Sequence, residues 1–109
     1  MKAVTTKGIT MKIVLCCASG MSTSMLVKKM QEAAVKKGVD ATISACPVTE
    51  LDVKASDANV ILLGPQVRYE LSNVKNNFGD RAGVDAIDPR DYGMMRGDKV
   101  LAHAIEIAK

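Results

Sequence analysis

Ile13-Val14-Leu15-Cys16 is a short unbroken apolar run that passes straight into the Ser/Gly/Thr-rich stretch Cys17-Ala18-Ser19-Gly20-Met21-Ser22-Thr23-Ser24. A run apolar at every position suits a strand buried on both faces rather than one with a wet side. Residues 24–37 then switch to helical spacing. Met25, Leu26, Met30, Ala33 and Ala34 take one side, and Lys28, Lys29, Lys36 and Lys37 take the other. Gly38 is placed to end that helix. A buried strand, a glycine-bearing turn and an amphipathic helix make a βα unit, and such a unit commits the chain to an α/β architecture.

The rest of the chain repeats the theme. Val39 to Ala45 alternates apolar and polar residues as a strand does, and Cys46-Pro47 marks its end. Residues 48–57 read as a helical turn or loop. Asn59-Val60-Ile61-Leu62-Leu63 is a second buried strand, stopped by Gly64-Pro65. Gln66 to Asn77 reads as one helix with Val67, Leu71, Val74 and Phe78 inward, and Val84 to Ile87 as a fourth strand. Asp98 is placed to cap a last helix, Lys99 to Ala108, with Val100, Leu101, Ala104, Ile105 and Ala108 inward. The order predicts a four-stranded parallel sheet sandwiched by helices, with the first strand inside the sheet.

The 109 residues suffice for one domain. Residues 1–10 lack periodicity and read as a flexible extension, leaving 11–109 as the folded unit. Only two Tyr, one Phe and no Trp occur, so the core is aliphatic. A net charge of +3 is spread among interleaved acidic residues, a solvated surface rather than a nucleic-acid-binding face. No apolar run approaches the ~20 residues of a membrane span, and the N-terminus lacks a signal-peptide core, so a cytoplasmic setting is expected. Cys16, Cys17 and Cys46 are expected to be reduced there. With no C-x-x-C pair and a single His, neither a metal site nor a cofactor is expected.

The chemistry concentrates in the stretch after the first strand. Ligands of open α/β sheets bind at the carboxyl ends of strands. Gly20 permits a turn in which successive N–H groups converge, and Ser22, Thr23 and Ser24 add hydroxyls. The following helix directs its positive end into the loop, so residues 18–24 form a site for a tetrahedral oxyanion. A thiol at the first position profits from the same amides, which favour the thiolate and make Cys17 a nucleophile. Cys16 falls in strand register toward the core, and Cys46 reads as structural.

Two other phosphate chemistries fit less well. A Walker A loop needs Gly-Lys-Ser/Thr after the strand, and none is present. Cysteine-dependent phosphatases follow the nucleophile with five residues and then an Arg that clamps phosphate bidentately; after the same interval of five residues from Cys17 stands Thr23. Without that guanidinium, a site that keeps its phosphoryl group and hands it on is favoured over hydrolysis. A non-enzymatic anion-binding module is a third reading. His103, mid-helix among Ala102, Ala104 and Ile105, reads as structural rather than as a relay. Met25 and Met30 read as core, whereas Met21 projects from the loop toward a partner.

From Met11 to Lys109 the chain resembles the enzyme IIB component of the lactose/cellobiose (chitobiose) class of the bacterial sugar phosphotransferase system. The likeness rests on Leu15-Cys16-Cys17-Ala18-Ser19-Gly20-Met21-Ser22-Thr23-Ser24 and on Ile61-Leu62-Leu63-Gly64-Pro65-Gln66. The resemblance implies a fold like that of low-molecular-weight tyrosine phosphatases. It implies that Cys17 takes a phosphoryl group from a phosphohistidine of a IIA protein. Cys17 would then give it to a β-glucoside-, cellobiose- or lactose-like sugar held by a membrane IIC permease, at the inner face of the membrane. Sugar choice would belong largely to the permease. Contacts with two partners in turn suggest a monomer in isolation. Gly64, Pro65 and Gln66 would line the rim of the site. Ile87-Asp88-Pro89-Arg90-Asp91-Tyr92-Gly93 resembles the acid-bearing phosphatase loop, where Asp88 would be the leaving-group acid; a cap or turn role for Asp88 is the simpler reading. The runner-up function is a cysteine phosphatase-like hydrolase.

Overall fold

Apolarity without alternation places the first strand deep in the molecule. In the computed structural model, which describes residues 11–17 and 23–109, β1 (Met11–Cys17) buries every residue from Ile13 to Cys17. It pairs in parallel with β2 (Ala41–Pro47) on one side and β3 (Val60–Leu63) on the other, and β4 (Gly83–Ala86) extends the sheet beyond β3. The order β2-β1-β3-β4 leaves the two continuous apolar runs inside and the two mixed strands at the edges. The expected α/β fold, with β1 interior, is the one observed.

Side chains alternate across the sheet and sort the core into two layers. Ile13, Leu15, Val60 and Leu62 pack beneath α1 (Ser24–Lys37) and α5 (Gly97–Ile107). Val14, Cys16, Ile61 and Leu63 face the other way, toward α2 (Leu51–Lys54) and α3 (Leu71–Phe78), where Leu51, Val74 and Phe78 cover them. Fully burying each such aliphatic side chain contributes roughly 1.5–3 kcal/mol.

α1 has the expected bounds and buries Leu26, Met30, Ala33 and Ala34. Met25 is instead 55% exposed, because it shares its stripe with Lys28 and Lys29 rather than with Leu26 and Met30. Gly38 ends the helix at φ 70°, a left-handed conformation that costs a residue with a Cβ. The N–H of Val39 reaches back to the Ala34 carbonyl (2.9 Å), closing the helix end. Residues 38 and 39 are thereby occupied, so β2 begins at Ala41 rather than Val39. It runs through Cys46-Pro47 instead of stopping at Ala45, Pro47 being tolerated as the last residue of an edge strand.

The helix expected over 66–77 divides in two. A 3-10 segment spans Pro65–Glu70, with Val67 off helical geometry (φ −119°, ψ 20°) and buried, and α3 begins only at Leu71. A short helix not anticipated, α4 (Pro89–Gly93), follows β4. The last helix starts at Gly97 with Arg96 at its N-cap, so Asp98 lies inside the first turn rather than capping it. Its carboxylate still sits at the favourable end of the helix dipole. Val100, Leu101 and Ala104 point inward as expected, while Ile105 lies on the flank, 38% exposed.

Because all four strands are parallel, β1, β3 and β4 deliver Cys17, Gly64 and Asp88 to one edge of the sheet. Backbone bonds lock that edge: Gly64 N donates to Cys16 O (2.8 Å) and Ile87 N to Leu63 O (2.8 Å).

Candidate active site

Cys17 is the last residue of β1, and the period-2 alternation turns it to the side of Ile13 and Leu15, that of α1. Its Sγ lies 3.3 Å from Thr23 Oγ1, within hydrogen-bond reach for sulfur. Thr23 is the N-cap residue of α1; its carbonyl accepts the first helical bond from Val27 N (2.9 Å), and its side chain makes no capping bond. Both groups are withdrawn from solvent, Cys17 at 1% and Thr23 at 0% exposure. The sulfur therefore sits at the positive end of a 14-residue helix whose first turn carries no acidic residue to neutralise it. Ser24 opens the helix and is exposed. Ala18, Ser19, Gly20, Met21 and Ser22, the remainder of the expected anion loop, lie outside the described residues.

The neighbouring thiols have a different character. Cys16 is buried in the opposite layer; its pKa is pushed up to about 12, first by burial and then by Cys46 and Cys17 beside it. Cys46 lies directly across from Cys16 in register, and its pKa too is raised, by burial and then by Glu50. In both, burial favours the thiol over the thiolate. All three cysteines are free thiols.

Gly64, Pro65 and Gln66 leave the adjacent strand beside the base of the site. A Cβ on Gly64 would come within 3.0 Å of Gln66 Oε1, 3.4 Å of Cys16 O and 3.6 Å of Tyr92 Cε2. The glycine thus lets Gln66, the Cys16 carbonyl and the Tyr92 ring converge at the mouth of β1 and β3. Tyr92, 8% exposed, was not anticipated here. Its signals were scarcity, as an aromatic in a chain nearly without them, and its place in the stretch resembling the acid-bearing phosphatase loop; its helix is too short to show a period.

Asp88 is the N-cap of α4, its Oδ1 accepting from Arg90 N (2.8 Å). That backbone bond, above all, holds its carboxyl below the ordinary carboxylate range. In the sheet, β4 is two strands from β1. The cap or turn role, the simpler reading of Asp88, is the one its hydrogen bond to Arg90 N displays.

His103 bonds through Nε2 to Asp85 Oδ2 (2.8 Å), while Asp85 Oδ1 accepts from Ala86 N (2.8 Å). The pair ties α5 to the edge strand, the structural role expected of this His. Asp85, His103, Asp88 and Arg68 also border a cavity of about 480 Å³, whose lining does not include Cys17. Among the described residues no helix is long and apolar enough to cross a membrane, and no group of three or more His, Cys, Asp or Glu is placed to hold a metal ion.

Comparison with known proteins identifies the family and the fold. Residues 12–103 match the family described as PTS system, Lactose/Cellobiose specific IIB subunit. The chain is 48% identical over 99 residues to the galactose-specific EIIB component of Lactococcus lactis subsp. cremoris (strain MG1363), covering 84% of this chain and 91% of the relative. Identity and coverage are the same for the cellobiose-specific EIIB component of Lactococcus lactis subsp. lactis (strain IL1403). The solution structure of a cellobiose-specific phosphotransferase IIB component from Borrelia burgdorferi superposes with a TM-score of 0.76 at 37% identity, covering 92% of this chain and 93% of that one.

Proposed function

The chain belongs to the lactose/cellobiose-specific IIB family of the sugar phosphotransferase system, whose members are phosphotransferases, and on that premise we propose that Cys17 is its phosphoryl carrier. One observation carries the reading. The Cys17 sulfur is buried against Thr23 at the unneutralised positive end of α1, while burial raises the pKa of Cys16 and Cys46 and favours their thiol forms. In the first transfer the Cys17 thiolate attacks the phosphorus of a phosphohistidine on a IIA partner. The S–P bond forms, the N–P bond breaks, and the electron pair stays on the imidazole nitrogen. In the second, a hydroxyl of a sugar held by a membrane IIC partner attacks the phosphocysteine. The O–P bond forms, the S–P bond breaks with its pair returning to sulfur, and the hydroxyl proton passes to solvent.

The chain's part is positioning and charge stabilisation. Residues 18–24 supply backbone N–H groups and hydroxyls to the phosphoryl oxygens, and Gln66 borders the rim. Thr23 stands where a hydrolase would carry Arg, and Asp88 serves as a helix cap, so both departures from a phosphatase favour retention of the phosphoryl group. The sugar is of the β-glucoside, cellobiose or lactose kind, and the chain meets its two partners transiently as a monomer.

Intact mass after incubation with phosphoenolpyruvate, the general carrier proteins and IIA tests the reading. A single phosphoryl adduct is expected, absent in Cys17→Ser. No adduct, together with turnover of an aryl phosphate, would replace the relay with a hydrolase.

A further inference from the structure

We propose that Thr23 is a positioning residue for the relay, its hydroxyl aiming the Cys17 sulfur and bearing the charge that returns to it; the inference rests on Cys17 being the phosphoryl carrier. A threonine at an N-cap normally turns its oxygen to the exposed N–H groups of the first helical turn. Thr23 makes no such bond; its Oγ1 is directed at Cys17 Sγ, 3.3 Å away. It is also the one buried polar side chain among the described residues, a placement that is costly unless the hydroxyl is satisfied. Burying a hydroxyl against a sulfur, at the sacrifice of a helix cap, makes sense when the sulfur carries charge.

The direction of the bond follows the reaction. While Cys17 is a thiol either group can donate. Once it is a thiolate only the hydroxyl holds a hydrogen, and a bond to an ionised acceptor is roughly twice as strong as a neutral one. Accepting phosphate spends the sulfur charge, and donating it regenerates that charge. The Thr23 hydroxyl therefore stabilises sulfur as a leaving group in every S–P cleavage, including return of the phosphoryl group to IIA. Thr23 is fully buried and its carbonyl accepts from Val27 N (2.9 Å), which fixes the hydroxyl's bearing on the sulfur.

The experiment compares the full chain with Thr23→Val, which keeps shape and loses the hydroxyl, and Thr23→Ser, which keeps the hydroxyl. Cys17 alkylation by iodoacetamide is followed at fixed pH. Phosphocysteine formation from phosphorylated IIA and its return to unphosphorylated IIA are followed by intact mass. Thr23→Val is expected to lose about tenfold in alkylation and in both transfers, most in the return, while Thr23→Ser stays within about twofold of wild type. Thermal unfolding checks that each variant is folded; if Thr23→Val is not, Thr23→Ala takes its place in the same comparison. Wild-type rates without the hydroxyl overturn the inference, as does an equal loss in Thr23→Ser. A wild-type chain that accepts no phosphoryl group, yet whose alkylation depends on the hydroxyl, defeats the relay and leaves Thr23 as the residue that positions the thiol.

Discussion

Cys16 and Cys17 are consecutive in β1 and serve opposite faces of the sheet. Cys16 packs in the layer of Val14, Ile61 and Leu63, while Cys17 Sγ meets Thr23 Oγ1 at the head of α1. The two-residue period of a strand separates them, and a register one residue different would offer the loop the wrong sulfur. Cys16→Val is therefore expected to accept phosphoryl groups from IIA at the wild-type rate. Cys16→Ser buries a hydroxyl among apolar neighbours and should cost about 1–3 kcal/mol in urea unfolding. A loss of phosphoryl acceptance in folded Cys16→Val would mean that the two sulfurs share the chemistry.

The Cys16 thiol also predicts an alkaline weakness. Its pKa rises from an ordinary 9.0 to about 12 on folding, so the unfolded chain gives up this proton first. Between those values the folded state binds more protons, and stability falls as pH rises, by at most about 1.4 kcal/mol per pH unit from this group. Below pH 9.0 the contribution is fully present. Urea unfolding on either side of that window should show a smaller alkaline loss in Cys16→Val than in wild type. Cys46, also raised, accounts for part of what remains. Equal losses in the two proteins would remove Cys16 as the source.

Legibility in the sequence followed how local each determinant is. β1, β3 and α1 were readable because a continuous apolar run and a helical stripe are properties of consecutive residues. The start of β2 was not, because closure of α1 occupies Gly38 and Val39; nor was its end, where Pro47 continues an edge strand instead of breaking it. The division at Val67 belongs to the path from the end of β3 onto the sheet face, a tertiary requirement invisible in the spacing of Val67, Leu71 and Val74. The place of Cys17 at the end of β1 was legible from the apolar run that leads into it. That Thr23 would turn its hydroxyl to the sulfur was not, since an N-cap Thr ordinarily serves its own helix. Tyr92 comes to the mouth of the site only because β4 and β3 are neighbours.

Gly38 provides a test of the fold apart from the chemistry. Its φ of 70° is open to glycine, and a Cβ there would meet nothing within 4 Å, so substitution is penalised by backbone conformation alone. Gly38→Ala should lower stability by about 1 kcal/mol, and Gly38→Asn by less, since Asn tolerates this region better. Both should form phosphocysteine at the wild-type rate. A neutral Gly38→Ala in urea unfolding would mean that the end of α1 rearranges at no cost.

Asp88 separates a relay from a hydrolase. Its carboxylate caps α4 through Arg90 N, and that bond holds it ionised below the ordinary carboxylate range. A carboxyl with a depressed folded pKa stabilises the protein above its unfolded pKa, and the contribution is lost as pH falls through the folded value. Asp88→Ala should therefore lower the thermal midpoint at neutral pH, with the gap to wild type closing on acidification. Asp88→Asn, itself a good cap, should lower the midpoint less. Neither change is expected to alter phosphocysteine formation or its return to IIA if the carboxylate serves only as the cap of α4. The decisive measurement is the lifetime of isolated phosphocysteine in wild type and Asp88→Asn. A longer lifetime in the variant would show Asp88 assisting water and would return the site to phosphatase chemistry. Equal lifetimes are expected from a carboxylate committed to the first turn of α4.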